Sequence, residues 1–155
     1  MYPNAKRVAV VMTSSVEQIR SWLRYVLAAG YLMAGLAHLW SPGGFLRIVP
    51  DWVPFPEQVV LVTGLCEIAG ALALMTARLR LAAGIALAAY AVCVYPANIK
   101  HAVYDIAIGD RTLGWWYHGP RLALQPVLVW WALWAGGATA WPFAARPVER
   151  KHDQS

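Results

Sequence analysis

Residues 57–76 read EQVVLVTGLCEIAGALALMT and residues 81–99 read LAAGIALAAYAVCVYPANI, with only ARLR (77–80) between them. From Gln58 to Ala77 the one charged residue is Glu67, and from Leu81 to Ile99 there is none. A membrane crossing needs roughly 20 mostly apolar residues. Both runs meet that length, and so short a link forces them into an antiparallel hairpin. Working outward, Tyr25 to Leu46 and Leu122 to Ala145 are also free of Asp, Glu, Lys and Arg. The chain therefore predicts an all-α, four-helix transmembrane bundle. Its spans are expected at about Trp22–Trp40, Glu57–Thr76, Leu81–Ile99 and Arg121–Trp141, with a polar segment at 1–21 and a tail at 142–155.

Composition agrees. Of 155 residues, 59% are apolar and 14% charged, and the mean hydropathy is +0.46. Soluble domains carry about 25% charge, so an ordinary globular enzyme is excluded and one membrane domain is expected. The net charge of +5 and the pI near 9.5 follow from bases at helix ends. A nucleic-acid partner would need a basic stripe on a soluble face, and none is expected. Cys66 and Cys93 fall inside apolar runs, without the spacing of a metal or redox motif.

Orientation follows from the bases. Lys6, Arg7, Arg20, Arg24, Arg78, Arg80, Arg146, Arg150 and Lys151 fall on one side, and Arg47, Lys100, Arg111 and Arg121 on the other. Both termini are expected in the cytoplasm, with the chain a multi-pass protein of a bacterial inner membrane. Tyr25–Ala34 followed by Gly35-Leu36-Ala37 resembles a signal peptide, but about 20 residues precede it and three spans follow. It is expected to stay as the first span.

Ser41–Pro56 carries Pro42, Pro50, Pro54 and Pro56 among Phe45, Ile48, Trp52 and Phe55. Prolines bar a long helix there. A short helical turn plus an extended lid in the headgroup layer is expected, with Pro50 and Trp52 touching a ligand. The plainer reading is a stiff interfacial connector.

Each span holds a polar residue on a face of small residues, where membrane helices approach closely. His38 lines up with Ala34 and Gly30, Glu67 with Thr63, Gly64, Gly70 and Ala71, Asn98 with Ala91, Ala88 and Gly84, and Gln125 with Ala132 and Gly136. Glu67 lies about 15 Å into its helix, near the midplane. A carboxyl there is costly and marks a functional site by default. His38 leans toward it, to within reach of one bridging water. Glu67 and His38 are thus the candidate acid–base pair, with Asn98 and Gln125 as ligand-binding donors. The plainer reading of Asn98 and Gln125 is helix-to-helix glue. A metal site from His38, Glu67, His101 and His118 lacks any helical i, i+4 pair, and no metal is expected. Tyr104, Asp105, Asp110 and Arg111 read as a solvated loop.

Gly35–His38, Pro42, Phe45, Ile48-Val49-Pro50 and Pro54, then Gly64-x-x-Glu67-x-x-Gly70 and Arg78–Arg80, resemble the DoxX-like family of small bacterial membrane proteins. Val94-Tyr95-Pro96-Ala97-Asn98-Ile99 is similar to that family's Phe-Pro-Ala-Asn-Ile signature with Tyr for Phe. Leu124-Gln125-Pro126 resembles its Leu-Gln-Pro. The resemblance covers about residues 30–136, and the insertion Asp105–Gly119 departs from it. It implies a four-helix membrane protein, some of whose relatives are quinone-linked oxidoreductase subunits or parts of redox-stress complexes. Others resemble membrane chaperones. The expected function is an accessory, redox-associated subunit that holds a small hydrophobic molecule, of which a quinone is one, beside a redox partner protein. The alternatives are a lipid-active enzyme using Glu67 and His38, or a non-catalytic scaffold.

Overall fold

A computed structural model describes residues 3–143, and among these the chain is helical without a named strand. Six helical segments follow one another: α1 (Pro3–Trp40), α2 (Pro42–Ile48), α3 (Pro56–Met75), α4 (Arg80–Cys93), α5 (Tyr95–Val103) and α6 (Gly114–Gly136). Pro56–Met75 and the nearly continuous Arg80–Val103 are long and apolar enough to cross a membrane. Only 28% of each apolar window is buried. A core helix of a soluble protein would hide most of such a window. Here Leu61, Val62, Leu65, Leu72, Leu81, Ile85 and Val92 are each at least 50% exposed.

The packed interior is built from small residues. α1 lies along α3, α4 lies along α6, and α3 against α4 joins the two pairs. Leu27, Ala28, Ala71, Leu74, Ala83, Leu87, Ala88, Ala132 and Ala135 form the core. Two crossings require glycine. A Cβ on Gly64 would stand 2.7 Å from the His38 Cβ, and one on Gly84 would stand 2.7 Å from the Gly136 Cα. Gly30, expected on the contact face of α1, has no neighbour within 4 Å of such an atom, and Gly35 makes the close approach instead.

Several boundaries differ from expectation. α1 begins at Pro3, not near Trp22, because no Pro or Gly interrupts residues 4–21 and a helix needs no apolar run to continue. At ~1.5 Å per residue it is far longer than one crossing requires. The third expected span is divided at Val94, one residue before Tyr95-Pro96, where proline removes an amide donor from the ladder. α6 starts at Gly114 rather than near Arg121, so it runs through Pro120, which was expected to lie just before the span, as well as through Pro126 within it. It ends at Gly136, short of Trp141. Gly137, at φ 86°, turns the chain left-handed and returns its N–H to the Leu133 and Trp134 carbonyls. The base-bearing tail with Arg146, Arg150 and Lys151 lies outside the described residues.

The proline-rich connector holds the short helix that its sequence predicts, α2. It is not a free lid. Lys100 Nζ bonds Val49 O and Asp51 Oδ1, both at 2.7 Å, so α5 clamps the connector on either side of Pro50.

Candidate functional site

The Gly35–Gly64 crossing brings the carboxyl-terminal end of α1 against the middle of α3. There His38 Nδ1 stands 3.0 Å from Glu67 Oε2, in direct contact where a bridging water was expected. Nδ1 also lies 2.9 Å from Ala34 O, and that bond has the in-plane geometry of an N–H donor. One ring nitrogen carries one proton. With that proton directed at Ala34, Glu67 Oε2 is buried with no donor of its own. With the proton on Oε2, the carboxyl donates to the Nδ1 lone pair. The pair therefore has two arrangements that differ by the position of one proton. An unmet buried acceptor costs about 1–3 kcal/mol, so neither arrangement is fully satisfied.

Apolar and aromatic groups enclose this pair. Phe45 of α2 stacks on the His38 ring, with centroids 3.7 Å apart and planes at 23°. Glu67 is 5% exposed. Tyr90 of α4 lies near the same carboxyl. The Tyr90 ring meets Tyr31 edge-on at 6.2 Å, and Tyr31 donates to Leu87 O at 3.4 Å. Neither tyrosine was singled out from the sequence. Their helical register with Ala83, Leu87 and Leu27 was the available signal.

Asn98 and Gln125 join a second group, held by α5 and α6. Arginine has donors only, so the direction of every bond here follows from Arg121. Its Nη2 donates to Asn98 Oδ1 at 2.6 Å, Asn98 Nδ2 donates to Gln125 Oε1 at 3.2 Å, and Gln125 Nε2 donates to Ala91 O at 2.6 Å. Arg121 Nη1 donates to His101 Nδ1 at 3.0 Å. His101 is therefore the Nε2–H tautomer and donates to Ile106 O at 2.9 Å. With both ring nitrogens committed, His101 has no lone pair for a metal. Among the described residues no cluster of three or more His, Cys, Asp or Glu is arranged to hold one.

Asp105, read from the sequence as part of a solvated loop, is 41% exposed there and also paired. Its Oδ1 accepts from the Gly114 amide at 2.9 Å and from His118 Nε2 at 3.0 Å. The Gly114 amide first, then the His118 ring, hold its carboxyl below the usual aspartate value. His118 is 1% exposed and packs 4.7 Å from His101, while its Nδ1 has no partner.

The structure thus brings Glu67 to His38 and Asn98 to Gln125, on two different helix pairs rather than in one cluster. Pro50 sits within the Lys100 clamp. Trp52 is 75% exposed and joins neither group. Cys66 and Cys93 are free thiols on exposed positions. An open apolar groove between α1 and α3, lined by Tyr25, Ala28, Ala29, Leu32, Ala71, Leu72 and Met75, begins one helical turn from Glu67 at Ala71.

No curated protein and no solved structure matches the chain. A family model matches residues 27–136, which span the part of α1 that packs on α3, both polar groups and the whole of α6. The chain belongs to the family described as a domain of unknown function (DUF8561).

Proposed function

We propose that this chain is a DoxX-like protein of a bacterial inner membrane, crossing four times through α1, α3, α4–α5 and α6 with both termini in the cytoplasm. The bias of bases toward the link at 77–80 and the amino-terminal end of α1 supports that orientation. In this reading the protein is an accessory subunit to a redox partner and handles a small hydrophobic molecule at the His38–Glu67 pair. The carrying observation is the buried Glu67 Oε2, 3.0 Å from His38 Nδ1 and lacking a donor. A polar ligand group could complete that bond, and its apolar body would follow the groove beyond Ala71.

A quinone needs a donor at each carbonyl. The Asn98 amide donates to Gln125 and the Gln125 amide to Ala91 O, so the pair does not present the clamp that was expected. His38 remains as a donor beside the pair. The contact of imidazole with carboxylate also has the geometry of a general acid–base couple, which keeps a lipid-active enzyme as the second reading.

The test is solvent extraction of the purified protein and of Glu67→Gln, followed by mass spectrometry and a redox spectrum of the extract. A small apolar molecule retained by the wild type and lost from Glu67→Gln is the expected result. A quinone difference spectrum supports the redox reading, and a modified lipid supports the enzyme. Equal extracts from both proteins would end the ligand reading.

A further inference from the structure

At the opposite end of the bundle from His38, three arginines from two helices meet the last turn of α6. Arg24 is 5% exposed; its Nε donates to Ala135 O at 2.9 Å and its Nη2 lies 3.6 Å from Glu17 Oε1. Arg20 reaches the same carboxylate at 3.3 Å and sets its guanidinium 5.0 Å over the ring of the fully buried Trp134. Arg80 opens α4, with its carbonyl 3.0 Å from where a Cβ on Gly136 would stand, and is close enough to Arg24 for their charges to repel.

The charge here is not balanced among the described residues. Among the described residues, Glu17 is the carboxylate paired with this group, and its side chain is 58% exposed. Donors are also left over. Arg20 Nε, Arg80 Nε and the Trp134 indole N–H are buried without a partner among the described residues. The general excess of bases on a cytoplasmic face requires only exposed side chains. It does not account for a packed group of like charges with open donors, which is unfavourable unless an anion neutralises it. Guanidinium forks match the oxygens of a phosphate better than any other common anion except a carboxylate. Basic pockets between helices on the cytoplasmic side suit lipid headgroups.

We propose that Arg20, Arg24 and Arg80 form a binding site for a phosphate group, supplied by the headgroup of an anionic phospholipid in the inner leaflet. The site rests on the membrane placement proposed above and is independent of any role for His38 and Glu67. Arg80 and Arg20 supply the open N–H donors for the phosphate oxygens. Arg24, held by Ala135 O, supplies charge and ties the site to the end of α6.

The experiment is thermal unfolding of the full chain in neutral detergent, titrated with phosphatidylglycerol, phosphatidylcholine or inorganic phosphate. Arg80→Gln and Arg20→Gln are compared with Arg78→Gln, which removes the same charge from an exposed position in the same link. Phosphatidylglycerol should raise the Tm of wild type and Arg78→Gln alike. Its half-effect concentration should be about tenfold higher for Arg80→Gln, the loss expected for one charged hydrogen bond. Arg20→Gln should shift the same way, so the site stays testable if either variant folds poorly. Inorganic phosphate acting as strongly as the lipid would keep the phosphate site and overturn the lipid source. Equal weakening by Arg78→Gln and Arg80→Gln would overturn the site in favour of diffuse charge, as would equal stabilisation by phosphatidylcholine. A chain that stays in solution without detergent would remove the membrane placement, while the inorganic phosphate arm would still read the arginines.

Discussion

The α1–α3 polar pair and the α5–α6 polar network use the same kinds of side chain and reach opposite outcomes. In the network, Arg121 fixes a direction that passes through Asn98 and Gln125 to a backbone carbonyl, and each link has its complement. In the pair, one His38 proton faces two acceptors and one buried oxygen is left over. A network with every group matched holds one geometry and resists change. A pair with a surplus acceptor has a proton to move and a place for an incoming donor. The first is what fixes helices to one another; the second is what a binding or proton-handling site needs.

The sharpest test of this contrast is Arg121→Ala. It strands His101 Nδ1 and Asn98 Oδ1 at once, and unfolding in detergent should show a loss of about 2–4 kcal/mol. A loss no larger than that of an exposed helix-end arginine such as Arg78→Ala would mean the network is incidental. Next in size is Gly64→Ala. The added methyl would meet the His38 Cβ at 2.7 Å, so α1 must move off α3. A cost of about 1–3 kcal/mol is expected from overpacking, together with loss of the extractable molecule. Retained ligand in a destabilised Gly64→Ala protein would uncouple the pair from the crossing. Glu67→Gln should be milder still. It keeps shape and hydrogen-bonding capacity, and stability should stay within about 1 kcal/mol of wild type while ligand content falls.

How far the sequence reached into each region follows from what local spacing can carry. The apolar runs at 57–76 and 81–99 give α3 and the α4–α5 unit directly, because length and hydropathy are local properties. Glu67 was found by helical register against Gly64, which the Gly35–Gly64 crossing uses, whereas the Gly30 register given to His38 is not the one that makes the contact. Arg121 was read only as one of the bases at helix ends. Nothing local tells a base that faces lipid headgroups from one that turns inward onto His101. The inward bond of Arg24 is hidden for the same reason: its partner, Ala135 O, lies 111 residues away. The prolines at 120 and 126 signal a break by local rule, yet α6 passes through both. Asp105 and His118 sit on either side of the turn at Gly109 and Gly114, so their pairing depends on how that loop closes.

That loop carries the smallest effect and the one with a pH signature. The Gly114 amide and the His118 ring favour the ionised form of Asp105, so its folded value lies below the unfolded one of about 3.9. A depressed carboxyl stabilises the fold in full above the unfolded value, and that contribution disappears as pH falls through the folded value. Asp105→Asn keeps the side-chain shape and removes the titration. The Tm difference between wild type and Asp105→Asn should therefore be constant from pH 7 to about pH 5 and shrink below that. Because Asp105 is exposed, the difference should be small and should weaken with added salt. Losing the charge should weaken the Gly114 and His118 bonds to Oδ1 and loosen the start of α6 before it disturbs Gln125 or Arg121 further along the helix. Hydrogen exchange confined to residues 105–118 in Asp105→Asn would fit that order. Exchange spreading equally into the His38–Glu67 region would show that the two polar regions are one cooperative unit, and the contrast between them would fail.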